Sequence, residues 1–212
     1  MINACAEGSM NVFRKFGLVG LVLLVVAAPA RAGAPTDQVR QYTDQVLKLL
    51  DDPGVQTADK RAAVRKVAVE IFDVQETAKR ALGRHWQART PAEREEFVQL
   101  FADLLERTYI NKIDLYRGEK VVYANEAVDG EYATVRVRVL SKQRGEIPVD
   151  AKMVRRGDRW LIYDIAVENI SLIANYRAQF DRIIRTASYQ DLVNRLKVKK
   201  EEFLQEARPG SS

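Results

Sequence analysis

The chain has 212 residues, 47% of them hydrophobic, and this length predicts one domain or at most two small ones. Its formal net charge is +5, from 34 basic and 29 acidic side chains that are mixed along the chain. Because the sequence contains neither a basic block nor a basic stripe with interleaved aromatic residues, it does not indicate a nucleic-acid-binding protein.

The N-terminal segment has the pattern of a cleaved export signal. Two basic residues precede an uncharged apolar run over residues 16–28, and the P-A-R-A segment at 29–32 has alanine at both small-residue positions of a cleavage site. The run is shorter than the roughly 20 residues that span a bilayer, which favours a signal peptide over a membrane anchor. We predict cleavage after Ala32 and export, with residues 1–9 as an upstream start-site extension.

The exported part of the chain is predicted to contain no cysteine. Cys5 is the one cysteine of the sequence, and it lies before the apolar run. Without a disulfide, stability must come from a hydrophobic core, which about 180 residues can supply. We predict a single domain over residues 33–207 and a disordered tail over residues 208–212.

Helix signals dominate the first half of this domain, and two more helices follow its last strand. Asp73 with Glu76, and Thr90 with Glu93, each fit a capping box. In this motif the first side chain accepts a hydrogen bond from the backbone N–H three residues on, and the glutamate reaches back to the first residue's own N–H. The helices predicted before the strands cover residues 36–50, 58–71, 74–82 and 91–116.

After Gly118 the apolar spacing changes to two, which predicts strands. Four sequential strands with tight turns make an antiparallel meander, and Asp129-Gly130 is a hairpin signal between the first two. In the second strand, alternate apolar residues face inward, while Arg136 and Arg138 face outward. These arginines either solvate the sheet, which is the favoured interpretation, or contact a partner.

Residues 160–180, W-L-I-Y-D-I-A-V-E-N-I-S-L-I-A-N-Y-R-A-Q-F, are the stretch around which the fold is organised. An apolar and aromatic run indicates a buried strand, and residues 172–184 carry one apolar helical stripe, capped by Asn169 or Ser171. That helix must fold back over the sheet. We therefore predict an α+β fold, with a curved antiparallel four-stranded sheet covered by helices on one side. Either an ordinary core or an apolar cavity lies between the layers, and periodicity does not separate the two.

Few residues of the sequence indicate catalysis. His85 is the one histidine, beside a predicted helix end, and a lone histidine there is more typical of a surface or capping residue than of a general base. No cluster has metal-ligand spacing. Tyr163 with Asp164 is the best acid–base candidate, because a carboxyl in an apolar pocket can have a raised pKa. The favoured alternative is an aspartate bonded to backbone or to an outward arginine such as Arg138.

Four segments resemble one known family, the Mla-type periplasmic phospholipid carriers, also called the MlaC or toluene-tolerance auxiliary proteins. The resemblance covers about residues 39–203, and it departs at Asn169, where many members carry glycine. The segments are A-L-G-R-H-W at 81–86, T-P-A-E-R-E-E-F-V-Q-L-F at 90–101, Y-R-G at 116–118 and R-W-L-I-Y-D-I-A-V-E-N-I-S-L-I-A-N-Y-R-A-Q-F at 159–180.

The resemblance implies a soluble carrier rather than an enzyme, with a phospholipid as cargo and no other cofactor. Such a carrier moves phospholipids between outer- and inner-membrane complexes and maintains outer-membrane lipid asymmetry. The implied partners are the substrate-binding ring of an inner-membrane ATP-driven transporter and an outer-membrane lipoprotein complex, and the carrier is expected to be a monomer. The implied fold is cone-shaped, similar to nuclear transport factor and ketosteroid isomerase, with acyl chains in an apolar cavity between sheet and helices.

Inward strand positions and helix stripes give the residues that we predict to line the lipid site. Two alternatives stay open: a related carrier of hopanoid or another polycyclic lipid, and an isomerase or dehydratase on a similar fold that uses Asp164 and Tyr163. The predicted lipid-lining residues are Phe101, Leu104, Val135, Val137, Val149, Met153, Trp160, Ile162, Leu172, Tyr176 and Phe180.

Overall fold

The computed structural model describes residues 34–206, so the predicted signal peptide, Cys5 and the predicted tail lie outside the described residues. The described α-helices are α1 Pro35–Asp51, α2 Thr57–Ile71, α3 Val74–Leu82, α4 Pro91–Ile110, α5 Leu172–Thr186 and α6 Tyr189–Glu206. The described strands are β1 Lys120–Asp129, β2 Tyr132–Ser141, β3 Gly145–Arg156, β4 Arg159–Val167 and β5 Ile170–Ser171.

The α4 start signals are confirmed. The Thr90 N–H donates to Glu93 Oε2 at 2.8 Å, and the Glu93 N–H donates to Thr90 Oγ1 at 3.2 Å, so both halves of the capping box form. The predicted continuation of this helix to Tyr116 is wrong as an α-helix. Helix α4 ends at Ile110, and a 3₁₀ helix over Asn111–Leu115 carries the chain onward, a common tightening at helix ends.

The capping box at α3 forms only in part. The Glu76 N–H donates to Asp73 Oδ1 at 2.8 Å, as predicted. The predicted hydrogen bond from the Asp73 N–H to the Glu76 side chain is wrong. The Asp73 N–H donates instead to the Ile162 carbonyl at 2.8 Å, beside an isolated β-bridge between Phe72 and Ile162 of β4. The Glu76 carboxylate instead accepts from Arg80 at 2.8 Å. The chain entering α3 is therefore bonded to the sheet.

The sheet is an antiparallel meander in the order β1–β2–β3–β4–β5. The four-stranded prediction is confirmed and is extended by one short strand, β5. Glu168 and Asn169, with φ of 51° and 66°, form the two-residue turn between Val167 and Ile170. Positive φ at both central positions fits the right-handed twist of paired strands. Ser171 is the residue that caps α5, accepting from the Ala174 N–H at 2.9 Å.

A register shift in β4 decides which way its side chains face. Lys152 pairs with Asp164 and Met153 with Ile162, so Tyr163 is an extra residue between the two pairs, a β-bulge. Ile162 consequently faces the apolar side of the sheet, and Asp164 faces the opposite side with Lys152.

Buried apolar residues form two clusters. The sheet cluster joins the apolar face of the sheet to α1 and α2, and the helix cluster joins α3, α4, α5 and α6. Helices α3 and α5 also contact β4. Fully buried members of the sheet cluster include Val135 and Met153, and those of the helix cluster include Phe97 and Phe101. The predicted α+β fold, an antiparallel sheet covered by helices, is confirmed.

Candidate functional site

The predicted lipid-lining residues fall into two groups, one in each apolar cluster. Each group is brought together, but the two groups lie in separate clusters. The sheet group is Val135, Val137, Val149, Met153, Trp160 and Ile162. The helix group is Phe101, Leu104, Leu172, Tyr176 and Phe180.

The sheet group lies on one face because strand register aligns it. Val137 pairs with Val149 across β2 and β3, and Met153 pairs with Ile162 across β3 and β4. This face packs against Val39 of α1, together with residues of α2. Helices α1 and α2 and strands β1 to β4 all contribute to this apolar layer, with Val149 half-buried at its margin.

The helix group is an aromatic contact between α4 and α5. The ring centroid of Phe101 lies 5.1 Å from that of Tyr176 and 5.3 Å from that of Phe180, both in edge-to-face geometry. Burial, with Tyr109 beside it, raises the pKa of Tyr176 to about 12. The half-buried Leu104 and Leu172 pack against this cluster.

The surface of the described residues has two clefts that do not include any predicted lipid-lining residue. Both contain charged side chains. One, of about 370 Å³, is lined by Leu50, Thr57, Lys60, Ile113, Asp114 and Tyr116. The other, of about 300 Å³, is lined by Ala178, Asp181, Arg182, Arg185 and Thr186.

Asp164 is buried, with 5% of its surface exposed, and its carboxylate binds three donors. It accepts from Lys152 Nζ at 3.1 Å, from Ser171 Oγ at 2.6 Å and from the Ile173 N–H at 3.1 Å. The predicted backbone partner is therefore correct. The predicted partner Arg138 is wrong, since its guanidinium pairs with Glu146 at 3.2 Å. The carboxylate fastens the sheet to the first turn of α5.

Tyr163 makes contacts of a different kind. The guanidinium of Arg80 lies 3.9 Å from its ring centroid, and the ring of Tyr132 lies 6.1 Å away in edge-to-face geometry. Its backbone carbonyl accepts from Thr77 Oγ1 at 3.2 Å. These contacts hold helix α3 against the bulge in β4 through a cation–π pair and a hydrogen bond.

The outward arginines of β2 have carboxylate partners. Arg136 binds Asp150 with two hydrogen bonds, of 2.6 and 2.7 Å, and this guanidinium lowers the pKa of the Asp150 carboxyl. Arg138 pairs with Glu146 at 3.2 Å. Cross-strand ion pairs of this kind are typical of a solvated sheet face, which agrees with the favoured interpretation of the sequence.

A buried acidic pair at α3 was not predicted to bind arginine. Asp73 and Glu76 are each 8% exposed, and both contact Arg156 of β3, at 2.8 and 3.5 Å. The capping motif identified both residues as helix-start groups. The third member was not predictable, since Arg156 lies about eighty positions later and no local pattern links it to α3.

His85 lies at the start of a surface ion network. Its Nε2 is 2.8 Å from Asp181 Oδ1, and Arg84 approaches the same oxygen at 2.5 Å. These two neighbours lower the pKa of the Asp181 carboxyl. The histidine is half-buried and contacts α5.

Residues 34–206 contain neither a candidate metal cluster nor a candidate membrane span. Within that range no three His, Cys, Asp or Glu side chains are grouped so that they could hold a metal ion. In the same range no helix combines the length and the apolar character needed to cross a membrane.

The fold defines an α+β protein in which helices cover an antiparallel sheet, and a solved phospholipid-binding protein has the same fold. That protein is from Ralstonia solanacearum, and its structure is in complex with a phospholipid. The similarity has a TM-score of 0.70 at 25% identity and covers 81% of this chain and 99% of that one.

A family model described as MlaC protein matches residues 40–198 of this sequence. The chain therefore belongs to the MlaC protein family. It is also similar to the intermembrane phospholipid transport system binding protein MlaC of Haemophilus influenzae, with 20% identity over 141 residues. That match covers 64% of this chain and 66% of the relative's length.

Proposed function

We propose that this protein is a periplasmic carrier that moves a phospholipid between outer- and inner-membrane complexes and so maintains outer-membrane lipid asymmetry. The observation that carries the proposal is the similarity over 99% of the phospholipid-bound Ralstonia protein. Membership of the MlaC family supports the same function. The carrier is exported by its N-terminal signal, acts as a monomer and performs no chemical reaction on its cargo.

Apolar burial supplies the binding free energy in this proposal. Each methylene transferred from water is worth about 0.8 kcal/mol, so the two acyl chains of a phospholipid bind strongly to an apolar layer. The sheet group and the helix group are the surfaces that we propose to contact these chains. Because spontaneous release would be slow, transfer requires partner proteins. We propose the substrate-binding ring of an inner-membrane ATP-driven transporter and an outer-membrane lipoprotein complex.

The geometry of Asp164 favours the carrier over the alternative isomerase or dehydratase. Three donors already bind its carboxylate, and a general base needs an oxygen free to reach substrate. The ring of Tyr163 is covered by Arg80. Both side chains thus have a structural explanation in the link between β4 and the helices.

Native mass spectrometry of protein purified gently from a Gram-negative envelope tests the proposal. We expect a mass increment of one or two phospholipids that survives gel filtration, and extraction should recover lipid that contains phosphorus. A phosphorus-free increment would identify a hopanoid or similar cargo instead. A lipid-free mass, with no uptake from phospholipid vesicles, would contradict the carrier function.

A further inference from the structure

A basic cleft lies on the outer face of α5, on the side opposite the aromatic contacts of that helix with α4. It has a volume of about 300 Å³, and we call it the α5 cleft. Ala178 lines it together with the charged side chains of Asp181, Arg182 and Arg185. Their spacing of three and four residues places them on one helix face, so this concavity is built largely by a single element.

Positive charge exceeds negative charge in and around the α5 cleft. Asp181 is the acidic residue that lines it, and this carboxylate is bound by Arg84 at 2.5 Å and approached by Arg185 at 4.0 Å. The side chains of Arg84 and Arg185 are 63% and 69% exposed. Arg182 also lines the cleft, and within residues 34–206 its guanidinium makes no ion pair or hydrogen bond. The guanidinium groups therefore have donors left for an external acid.

The shape and polarity of this surface indicate the kind of partner. Guanidinium groups bind carboxylates through paired, parallel hydrogen bonds. Helix α5 exposes no large hydrophobic side chain, so among the described residues of that helix nothing is suited to insertion into a bilayer. A concave site also accepts protruding side chains better than it accepts a flat membrane surface. We propose that the α5 cleft docks an acidic segment of a partner protein.

The position of the cleft relates docking to the proposed cargo. The opposite face of α5 carries Leu172, Tyr176 and Phe180, three of the predicted lipid-lining residues. The first turn of the same helix is bonded to the sheet through Asp164. A partner bound at the cleft therefore holds the helix that bears three members of the helix group. This connection, unlike the docking itself, rests on the proposed carrier function.

Fluorescence anisotropy with a labelled peptide of alternating glutamate and serine tests the docking site. The peptide should bind the wild-type protein at low salt, and its glutamine counterpart should not. The variant Arg182→Glu/Arg185→Glu should bind the acidic peptide about tenfold more weakly or worse, because charge-assisted hydrogen bonds are lost and repulsion replaces them. A matched control, Arg138→Glu/Arg144→Glu, changes the net charge equally on the β2–β3 side of the sheet and should change affinity less than about twofold.

The outcomes are distinct. Equal losses in the two double variants would show binding by overall charge alone and would overturn the proposal, as would absence of peptide binding. Sedimentation with phosphatidylglycerol vesicles provides a second arm: vesicle binding that needs Arg182 and Arg185, without peptide binding, would assign the cleft to a membrane surface. If charge reversal unfolds the protein, Arg182→Gln/Arg185→Gln replaces it.

The cargo is measured separately from docking. Native mass spectrometry of the docking variants should give the same bound lipid as wild type, because the cleft lies outside the apolar layer. Peptide binding without any lipid in wild type would contradict the carrier function and leave the docking site supported. Bound lipid without cleft-dependent peptide binding would support the carrier function and contradict the docking site.

Discussion

Asp164 links the sheet and the helical layer through one buried carboxylate. Ser171 donates to it at 2.6 Å and also accepts from the Ala174 N–H at 2.9 Å, so a single hydroxyl both caps α5 and anchors it to β4. Lys152 supplies the compensating charge at 3.1 Å. Buried charge is tolerated only when it is paired and hydrogen-bonded, and here each requirement is met by a different element.

Replacing Asp164 by alanine should lower the free energy of unfolding by about 3 kcal/mol, because Lys152 and the first turn of α5 lose their acceptor. Urea unfolding followed by circular dichroism measures this change. The matched control is Glu146→Ala, whose exposed pair with Arg138 should contribute less than about 1 kcal/mol. Equal effects of the two substitutions would contradict the anchoring role.

Two tyrosines of the helix cluster predict a loss of stability at alkaline pH. Burial raises the pKa of Tyr176 and of Tyr189 from 10.0 to about 12 in the folded protein. Since the unfolded chain releases these protons first, the stabilising contribution is complete below pH 10 and is lost as the pH rises towards 12. Urea midpoints across this range should fall. The variant Tyr176→Phe/Tyr189→Phe should show a shallower decline, and an unchanged slope would contradict the assignment.

At the scale of elements, the turn between β4 and β5 determines where α5 begins. Glu168 and Asn169 both have positive φ, a conformation that costs ordinary residues free energy but that asparagine tolerates. The turn is further held by the Glu168 N–H, which donates to the Pro148 carbonyl at 2.9 Å. A short, strained hairpin thus replaces the simple strand-to-helix junction that the sequence predicted.

The variant Asn169→Val should lower the free energy of unfolding by about 1–2 kcal/mol, because a β-branched side chain clashes in the left-handed region. The matched variant Asn169→Gly should stay within about 0.5 kcal/mol of wild type, since glycine adopts this conformation without a steric penalty. Thermal and urea unfolding compare the two variants. A valine variant as stable as the glycine variant would mean that the turn does not hold positive φ in solution.

At the scale of the whole molecule, the predicted lipid-lining residues belong to two separate apolar clusters. The proposed cargo therefore contacts either both clusters or one of them. The sheet cluster lies between the sheet and α1 with α2, whereas the helix cluster lies among α3 to α6. Helices α3 and α5 contact β4, so the clusters meet the same strand from different elements. Lipid binding can therefore be tested in each cluster by a substitution at its half-buried margin.

Replacing Val149 by tryptophan places a larger side chain at the margin of the sheet cluster, and replacing Leu104 by tryptophan does the same at the margin of the helix cluster. If acyl chains contact both clusters, Val149→Trp and Leu104→Trp should each reduce bound phospholipid at least about twofold, since added volume competes with the chains. Native mass spectrometry gives the lipid content, and circular dichroism checks the fold. Lipid lost in one variant alone would confine the cargo to that cluster.

The local structure of this protein was largely predictable from its sequence. The reciprocal cap of Thr90 and Glu93 and the meander of strands β1 to β4 formed as predicted, and the cap of α5 is Ser171, one of the two predicted candidates. These signals involve residues close together in the chain, so they do not depend on how distant elements pack. Apolar periodicity likewise predicted which residues face inward, because side-chain direction follows from helix and strand geometry.

The tertiary structure alone decided which inward faces meet and which charges pair. Periodicity placed Val135 and Phe101 inside, but their assignment to different clusters depends on how the helices pack. Because of the bulge at Tyr163, the Asp164 carboxylate pairs with Lys152 and not with Arg138. The Asp73 N–H, which the capping box was predicted to bond to Glu76, donates to the Ile162 carbonyl of β4. Such contacts join residues far apart in sequence. Their partners are fixed by the packing of whole elements, and a local sequence pattern does not predict that packing.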